Sequence, residues 1–271
     1  MTTGFAVMPS PLAGWRVLIG RPAGRSTRLI RMLAAEGASA QAVPLIDVLP
    51  PDDSAELDAV LMALAAGEPE WVVFTSVNAV AAVLDRARAL RLSPAVPAGT
   101  RVAAVGPATS GALRRAGVAV DLVPGTGGSS SALAAVFPTA HPGDSVALPR
   151  SDIGADTLPE ALRERGYQVL TAVAYRTTAA ALPTSVTEDL AAGRYQAVVV
   201  TSPSGVAALI AAEPAIGTAM IAIGEPTARA LADAGTPAGQ IADEPTDRGI
   251  TAALVRQAAG TTGSAAGESS W

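Results

Sequence analysis

Three short motifs occur twice in this chain, in the same order. Residues 16–37 (RVLIGRPAGRSTRLIRMLAAEG) align without a gap on 145–166 (SVALPRSDIGADTLPEALRERG). Arg21 thereby falls on Arg150, Leu33 on Leu162 and Gly37 on Gly166. Residues 74–80 (FTSVNAV) then match 200–206 (VTSPSGV), and 105–109 (VGPAT) match 223–227 (IGEPT). All parallel α/β chains share some self-similarity, but three motifs in one order point to an internal duplication. Short β-branched runs at Val17–Ile19, Trp71–Phe74, Arg101–Val105, Ser145–Leu148, Ala197–Val200 and Ala219–Ile223 read as buried strands. Each is bounded by Gly, Pro or Ser/Thr and followed by an Ala/Leu helical period. Strands alternating with helices predict parallel sheets covered on both faces. A length of 271 residues exceeds one ordinary domain of roughly 100–200 residues, so two α/β domains are expected.

Two divisions of the chain are open. One cut falls at the Gly/Ser-rich stretch 125–131. The other uses two extended segments, Gln41–Val48 and Val169–Thr177, which hold equivalent places in the two copies. If the chain crosses between domains at both, they pair as a two-stranded bridge and one domain is discontinuous. Residues 1–14 and 259–271 lack periodicity and are expected to be flexible tails.

Composition narrows the chemistry. The chain carries 19 basic and 24 acidic residues, for a net charge of −5, and every basic residue is Arg. With no basic cluster, a nucleic-acid partner is not expected. Cys is absent and His141 is the one histidine, which excludes thiolate nucleophiles and Cys-built zinc sites and argues against a Ser–His–Asp relay. His141 itself sits in an Ala-His-Pro-Gly turn and reads as solvated. There is no signal-like N-terminal segment and no apolar run of membrane-spanning length, so a cytoplasmic protein without membrane association is expected.

Each strand ends in residues suited to open a helix. Ser76 caps a helix running to about Leu90, Ser202 a helix with Pro203 at its first position, and Ser129–Ser131 another. Gly106 and Gly224 begin tight turns, with Thr109 and Thr227 in the first helical turn. Pro245-Thr246-Asp247 opens the last helix, to about Ala258. In open parallel sheets, ligands bind beyond the carboxyl ends of the strands. Here that rim carries helix N-termini, Ser and Thr hydroxyls and backbone N–H groups, a set suited to a polyanion without Lys. Arg21 and Arg150 end equivalent strands and are candidate ligand contacts. Tyr175, on the second crossing segment, is the candidate proton donor, with Asp47 a weaker one. No dinucleotide or P-loop glycine fingerprint is present.

Over about residues 15–258 the chain resembles the uroporphyrinogen-III synthase family. The resemblance is carried by FTSVNAV at 74–80, VGPAT at 105–109, LPEALRERG followed by VAYRT, VTSPSGV at 200–206, IGEPTARALADAG at 223–235 and DEPTDRGITAAL at 243–254. It implies an α/β fold: two parallel-sheet domains joined by a two-stranded antiparallel linker. The division becomes 15–43 plus 178–258 for a discontinuous first domain, 44–47 and 171–177 for the linker strands, and 48–170 for the second domain. The implied reaction closes hydroxymethylbilane, an octacarboxylate linear tetrapyrrole, with loss of water and inversion of ring D, using neither metal nor organic cofactor. Tyr175 matches the family's tyrosine proposed as general acid. By motif, substrate contacts are expected at Arg21, Thr75, Ser76, Asn78, Gly106, Thr109, Arg150, Ser202, Ser204, Gly205 and Thr227. A monomer is expected. Departures are Gly20-Arg21-Pro22 where Thr-Arg-Pro is common, Val77 in place of Pro, and Val200 in place of Phe. A non-catalytic tetrapyrrole- or anion-binding protein on the same fold is the alternative reading.

Overall fold

The structure is a computed structural model that describes residues 10–93, 95–125 and 128–265. In chain order the elements begin β1 (Arg16–Ile19), α1 (Thr27–Ala35), β2 (Ser39–Ala42) and β3 (Ile46–Leu49). There follow α2 (Ala55–Ala66), β4 (Trp71–Phe74), α3 (Val77–Ala89), β5 (Arg101–Ala104), α4 (Pro107–Arg115) and α5 (Ser130–Val136). Next come β6 (Ser145–Ser151), α6 (Thr157–Glu164), β7 (Gln168–Ala179), α7 (Thr184–Ala191) and β8 (Ala197–Val200). The chain closes with α8 (Val206–Ala211), β9 (Ala219–Ala222), α9 (Glu225–Asp233), β10 (Gln240–Ile241) and α10 (Asp247–Ala265).

The chain divides into two compact units, Met1–Asp47 with Thr178–Trp271, and Val48–Thr177. The Gly/Ser-rich stretch at 125–131 is therefore not a boundary; it lies inside the second unit, with residues 126 and 127 outside the described residues. The first unit holds a sheet of order β10-β9-β8-β1-β2, every pair parallel. The second holds β3-β7-β6-β4-β5, in which β7, β6, β4 and β5 run parallel. A parallel bridge from Ala103 to Leu122 extends the β5 side. The chain passes between units within β3 and within β7. The first extended segment is thus two strands, Ser39–Ala42 on the edge of one sheet and Ile46–Leu49 on the edge of the other.

The central strands of each sheet are buried on both faces, which is why β4 and β8 read as continuous apolar runs, while the edge strands β2 and β3 stay partly exposed. In the first unit Leu18, Val198 and Val200 face one core, while Val17, Ile19, Ala197 and Val199 face the other. In the second, Val72, Phe74, Val102 and Ala104 face one side, while Trp71, Val73, Ala103 and Val146 face the other. The alternation follows from the two-residue period of a strand. Among the described residues no helix is long and apolar enough to cross a membrane.

Two expected tails are partly ordered. Residues 10–14 form a turn whose Leu12 is fully buried, with its N–H bonded to the Glu36 carbonyl. The last helix passes Ala258 and continues to Ala265. Its buried stripe of Ile250, Ala253, Leu254 and Ala258 anchors it, and adding turns to an anchored helix avoids a new nucleation step. Residues 1–9 and 266–271 lie outside the described residues.

Leu45 closes the rim of the first unit. It is buried, and it packs on two glycines from distant parts of the chain. A Cβ at Gly20 would lie 2.5 Å from Leu45 Cδ1 and 2.9 Å from the Val199 carbonyl oxygen; one at Gly205 would lie 3.1 Å from Leu45 Cβ. Gly20→Ala is expected to lower stability by about 1–3 kcal/mol through this overpacking. Chemical denaturation checks it, and an unchanged midpoint would refute the close approach.

Candidate functional site

The strands of a parallel sheet all end on one rim, and the crevice opens where neighbouring strands send their connections to opposite sides. In the second unit that point lies between β6 and β4, since β6 leads to β7 and β4 leads to β5. In the first unit it lies between β1 and β8.

At the second unit's rim, β4 ends in Phe74 and the chain turns through Thr75 and Ser76 into α3. Ser76 is extended and its Oγ accepts the Ala79 N–H at 2.9 Å, capping the helix as expected. The same Oγ lies 2.9 Å from the Tyr175 hydroxyl. The Tyr175 ring is buried in the core formed with Phe74, Ala79 and Val80. Two residues 99 positions apart therefore meet through their hydroxyls. Thr75 and Asn78 flank them, both half-buried. Gly106, after β5, is extended and buried and opens α4 with Pro107 at its first position. A Cβ on Gly106 would sit 3.1 Å from Gly128 Cα, so this turn and the chain before α5 approach each other closely. Thr109 is only 3% exposed and belongs to the helix interior side of this turn.

Arg150 ends β6 beside this rim. Its Nη1 donates to Asp156 at 2.6 Å; the arginine side chain is 14% exposed and the aspartate 69%. A pair with one partner in solvent contributes about 0–1 kcal/mol, so a ligand carboxylate can replace Asp156 at small cost. The β6–β7 ladder shifts register just here. Arg150 faces Val173 but Ser151 faces Tyr175. Beyond the shift, Asp152 Oδ1 accepts from Ser151 Oγ at 2.9 Å, Ile153 N at 2.9 Å and Thr177 N at 3.0 Å. The Asp152 N–H donates to the Tyr175 carbonyl at 3.1 Å, and Ser151 Oγ lies 3.0 Å from Thr177 Oγ1. Burial pushes the Asp152 carboxyl up, but the bonds from Ser151, Thr177 and Ile153 outweigh it and hold it below its ordinary 3.8. Sequence reasoning missed Ser151, Asp152 and Thr177. The signal was available: in the aligned copy, Pro22 and Ala23 stand where Ser151 and Asp152 stand here.

The first unit's rim is arranged differently. Arg21 donates through Nη2 to Asp247 at 2.5 Å and through Nε to Ser26 Oγ at 3.3 Å, with arginine and aspartate both less than one-fifth exposed. Arg21 thus ties β1 to the start of α10. Ser202 stands at the N-cap position with Pro203 in the first turn, as expected, but the turn it opens is 3-10 and its side chain makes no cap bond. Pro203–Gly205 form a 3-10 turn, and Ser202 Oγ bonds Ser204 Oγ at 2.9 Å instead. Thr201 Oγ1 donates to the Gly20 carbonyl at 3.2 Å, joining the two strands at the crevice. Gly205 is buried against Leu45, and Thr227 is 2% exposed in the first turn of α9. His141 is exposed in its turn, where Asp144 Oδ2 accepts its N–H.

The family model described as Uroporphyrinogen-III synthase HemD matches residues 27–252 of the chain. The chain is 32% identical over 167 residues to a uroporphyrinogen-III synthase of Synechococcus elongatus, with 61% of each chain covered. It is 28% identical over 193 residues to a putative uroporphyrinogen-III synthase of Methanothermobacter thermautotrophicus, covering 68% of this chain and 72% of that one. A porphyrin biosynthesis protein HemD of Ruminiclostridium josui is 30% identical over 117 residues, only 23% of its length. The chain thus spans less than two thirds of two of these relatives. Among solved structures, a mutant uroporphyrinogen III synthase of the extremely thermophilic bacterium Thermus thermophilus matches at a TM-score of 0.60 and 22% identity, over 91% of this chain and 99% of that one. A uroporphyrinogen-III synthetase of Helicobacter pylori matches at 0.60 and 18% identity, over 89% and 99%. These two likenesses concern the fold.

Two outcomes test the site geometry. Ser76→Ala removes a helix cap and the partner of a buried hydroxyl, and is expected to cost roughly 1–3 kcal/mol in denaturant unfolding, with Ser76→Thr recovering most of it. Asp152 has a folded-state value below 3.8, so the stability its charge adds is present above that ordinary value and is lost as pH falls through the lower folded one. Denaturant unfolding should therefore find Asp152→Asn less stable than the parent chain at about pH 6, with the gap closing in stronger acid; a gap that does not change with pH would contradict it.

Proposed function

The chain belongs to the uroporphyrinogen-III synthase family, and from that premise we propose that it closes hydroxymethylbilane to uroporphyrinogen III as a cyclising hydro-lyase. The observation that carries the reading is the Tyr175 hydroxyl held by Ser76 at the strand-end rim of the second unit. Asp47, the weaker proton-donor candidate, lies on the edge strand β3.

The reaction must break the hydroxymethyl C–O bond. Tyr175 donates its phenolic proton to the departing oxygen, which leaves as water, and the pyrrole nitrogen lone pair fills the electron gap. The bilane becomes a cationic azafulvene. Ser76 already accepts the Ala79 N–H, so its own O–H is available to the Tyr175 oxygen and stabilises the phenolate formed. Attack by the substituted carbon of ring D gives a spiro intermediate. Its fragmentation and re-closure through the free α carbon invert the ring. The proton released on re-aromatisation returns to the phenolate, so the tyrosine ends as it began.

Simple closure to the type I isomer needs no enzyme. The protein's task is to hold the pose that favours inversion, a difference in orientation worth several kcal/mol. At the second unit's rim the proposed contacts for substrate carboxylates are Thr75, Ser76, Asn78, Gly106, Thr109 and Arg150; at the first unit's rim, taken by itself, the candidates are Arg21, Ser202, Ser204, Gly205 and Thr227. Of the two arginines, the exposed partner of Arg150 favours it over Arg21, whose aspartate is largely buried. Gly205 serves by admitting Leu45 as much as by exposing backbone. The chain acts as a monomer in the cytoplasm, without metal or organic cofactor.

The duplication is part of the same proposal. The order β2-β1-β8-β9-β10 has the counterpart β7-β6-β4-β5 with Leu122, strand for strand. The two crossings run antiparallel: Ala180 N donates to the Leu45 carbonyl and Arg176 Nε to that of Pro50, so one index falls as the other rises.

The test generates hydroxymethylbilane in situ, adds substoichiometric protein, oxidises the products and separates the isomers. Type III is expected; type I alone, at the rate without protein, would overturn the reading. Tyr175→Phe should lower kcat by about 10²-fold. Full rate in that variant, with loss in Thr227→Ala or Ser202→Ala, would remove Tyr175 from the acid role.

A further inference from the structure

We propose that Asp152 is the positioning residue for Tyr175, an inference that rests on the acid role just proposed for that tyrosine. Up to Arg150 strands β6 and β7 pair residue for residue, and β7 then carries one extra residue before Tyr175. A bulge of this kind re-aims the side chain that follows it, and it also ends the regular ladder. The β7 backbone on the far side of Tyr175 would therefore lose its neighbour at the place where the direction of the ring is set.

Asp152 takes the place of that neighbour with both its backbone and its side chain. Its N–H donates to the Tyr175 carbonyl, and its Oδ1 accepts the Thr177 N–H. The peptide groups on either side of Arg176 are thereby fixed by one residue. Oδ1 is itself held by Ser151 Oγ and the Ile153 N–H, and Ser151 Oγ reaches Thr177 Oγ1. The device is confined to the copy that carries the tyrosine. In the aligned copy Ala23 stands at this position, and the β1–β2 ladder ends at Ala42, opposite Ile19, before the chain passes into β3. An aspartate that only capped a turn would need its bond to Ile153; the bond across to Thr177 is what couples it to β7. Misplacement of a reacting group by roughly 1 Å costs about 10²-fold in rate, so a clamp on the tyrosine's own strand has leverage on turnover.

Shape and charge can be separated at this exposed position. Asp152→Asn keeps a carbonyl oxygen for the Thr177 N–H and loses the charge. Asp152→Glu keeps the charge and carries its oxygens one methylene further. The expectation is that Asp152→Ala and Asp152→Glu lower kcat by about 10-fold or more with KM within a few-fold, while Asp152→Asn retains most of kcat. In a Tyr175→Phe background, Asp152→Ala should produce no further loss of kcat, because it acts through the hydroxyl that is gone. Exchange of the Thr177 amide, read without substrate, should rise in the Ala and Glu variants and not in Asn. Wild-type kcat in the Ala and Glu variants overturns the proposal, as does an equal loss in both backgrounds. If Tyr175→Phe alone keeps full rate, the acid reading fails and this inference with it; a slow Tyr175→Phe beside full-rate Asp152 variants sinks only the clamp.

Discussion

Covering both faces of a parallel sheet leaves a chain only the rim of its strands for contact with a ligand. That constraint organises the whole molecule. It explains central strands such as β4 and β8, buried at every residue, and it explains why hydroxyls and glycines gather where strands become helices. It also explains how a chain with no lysine and no cysteine can present a surface suited to an anion. Backbone N–H groups at helix starts need no particular side chain, only a turn that leaves them open.

The rims are built from the same kinds of turn but are committed differently. At the second unit's rim the Ser76 and Tyr175 hydroxyls face each other, and the nearby arginine is paired with a largely exposed aspartate. At the first unit's rim the matching arginine is paired with a mostly buried aspartate and helps fasten α10. The two arginines, aligned in sequence, thus differ in setting: one is paired with an exposed aspartate, the other with a mostly buried one.

Much of this was legible in the residues. The buried strands, the Ser76 cap and the parallel sheets all follow from period, burial and turn chemistry acting over a few residues; Tyr175, read as a tyrosine of the crossing segment, is instead buried in the second unit's core against Ser76. What escaped depends on partners far apart in the chain or on small geometric choices. Nothing local in Arg21 reveals Asp247. Pro203 is as acceptable in a 3-10 turn as in the first turn of an α-helix, so the turn after Ser202 read as α-helical. Gly, Thr and Ser beyond Ala258 are poor helix formers alone, yet they extend a helix already anchored by Leu254 and Ala258. The Asp152 bonds arise from a one-residue slip in register, which no propensity encodes.

The first unit is made of residues on both sides of the second: 47 before it and 94 after it, counted from Met1–Asp47 and Thr178–Trp271. Its sheet places β1 directly against β8, and Leu45 seals Gly20 onto Gly205. On the ribosome, Val48–Thr177 has all its strands as soon as it emerges. The earlier segment, with Leu18, Ile19, Leu29 and Leu33 still lacking most of their core, must then wait for the rest. At ordinary synthesis speeds the missing residues take roughly 5–20 s to arrive. Protein quality control therefore meets this chain first as one finished unit preceded by a strand–helix–strand segment whose β1 still lacks its partner β8, and chaperone dependence should concentrate in that interval.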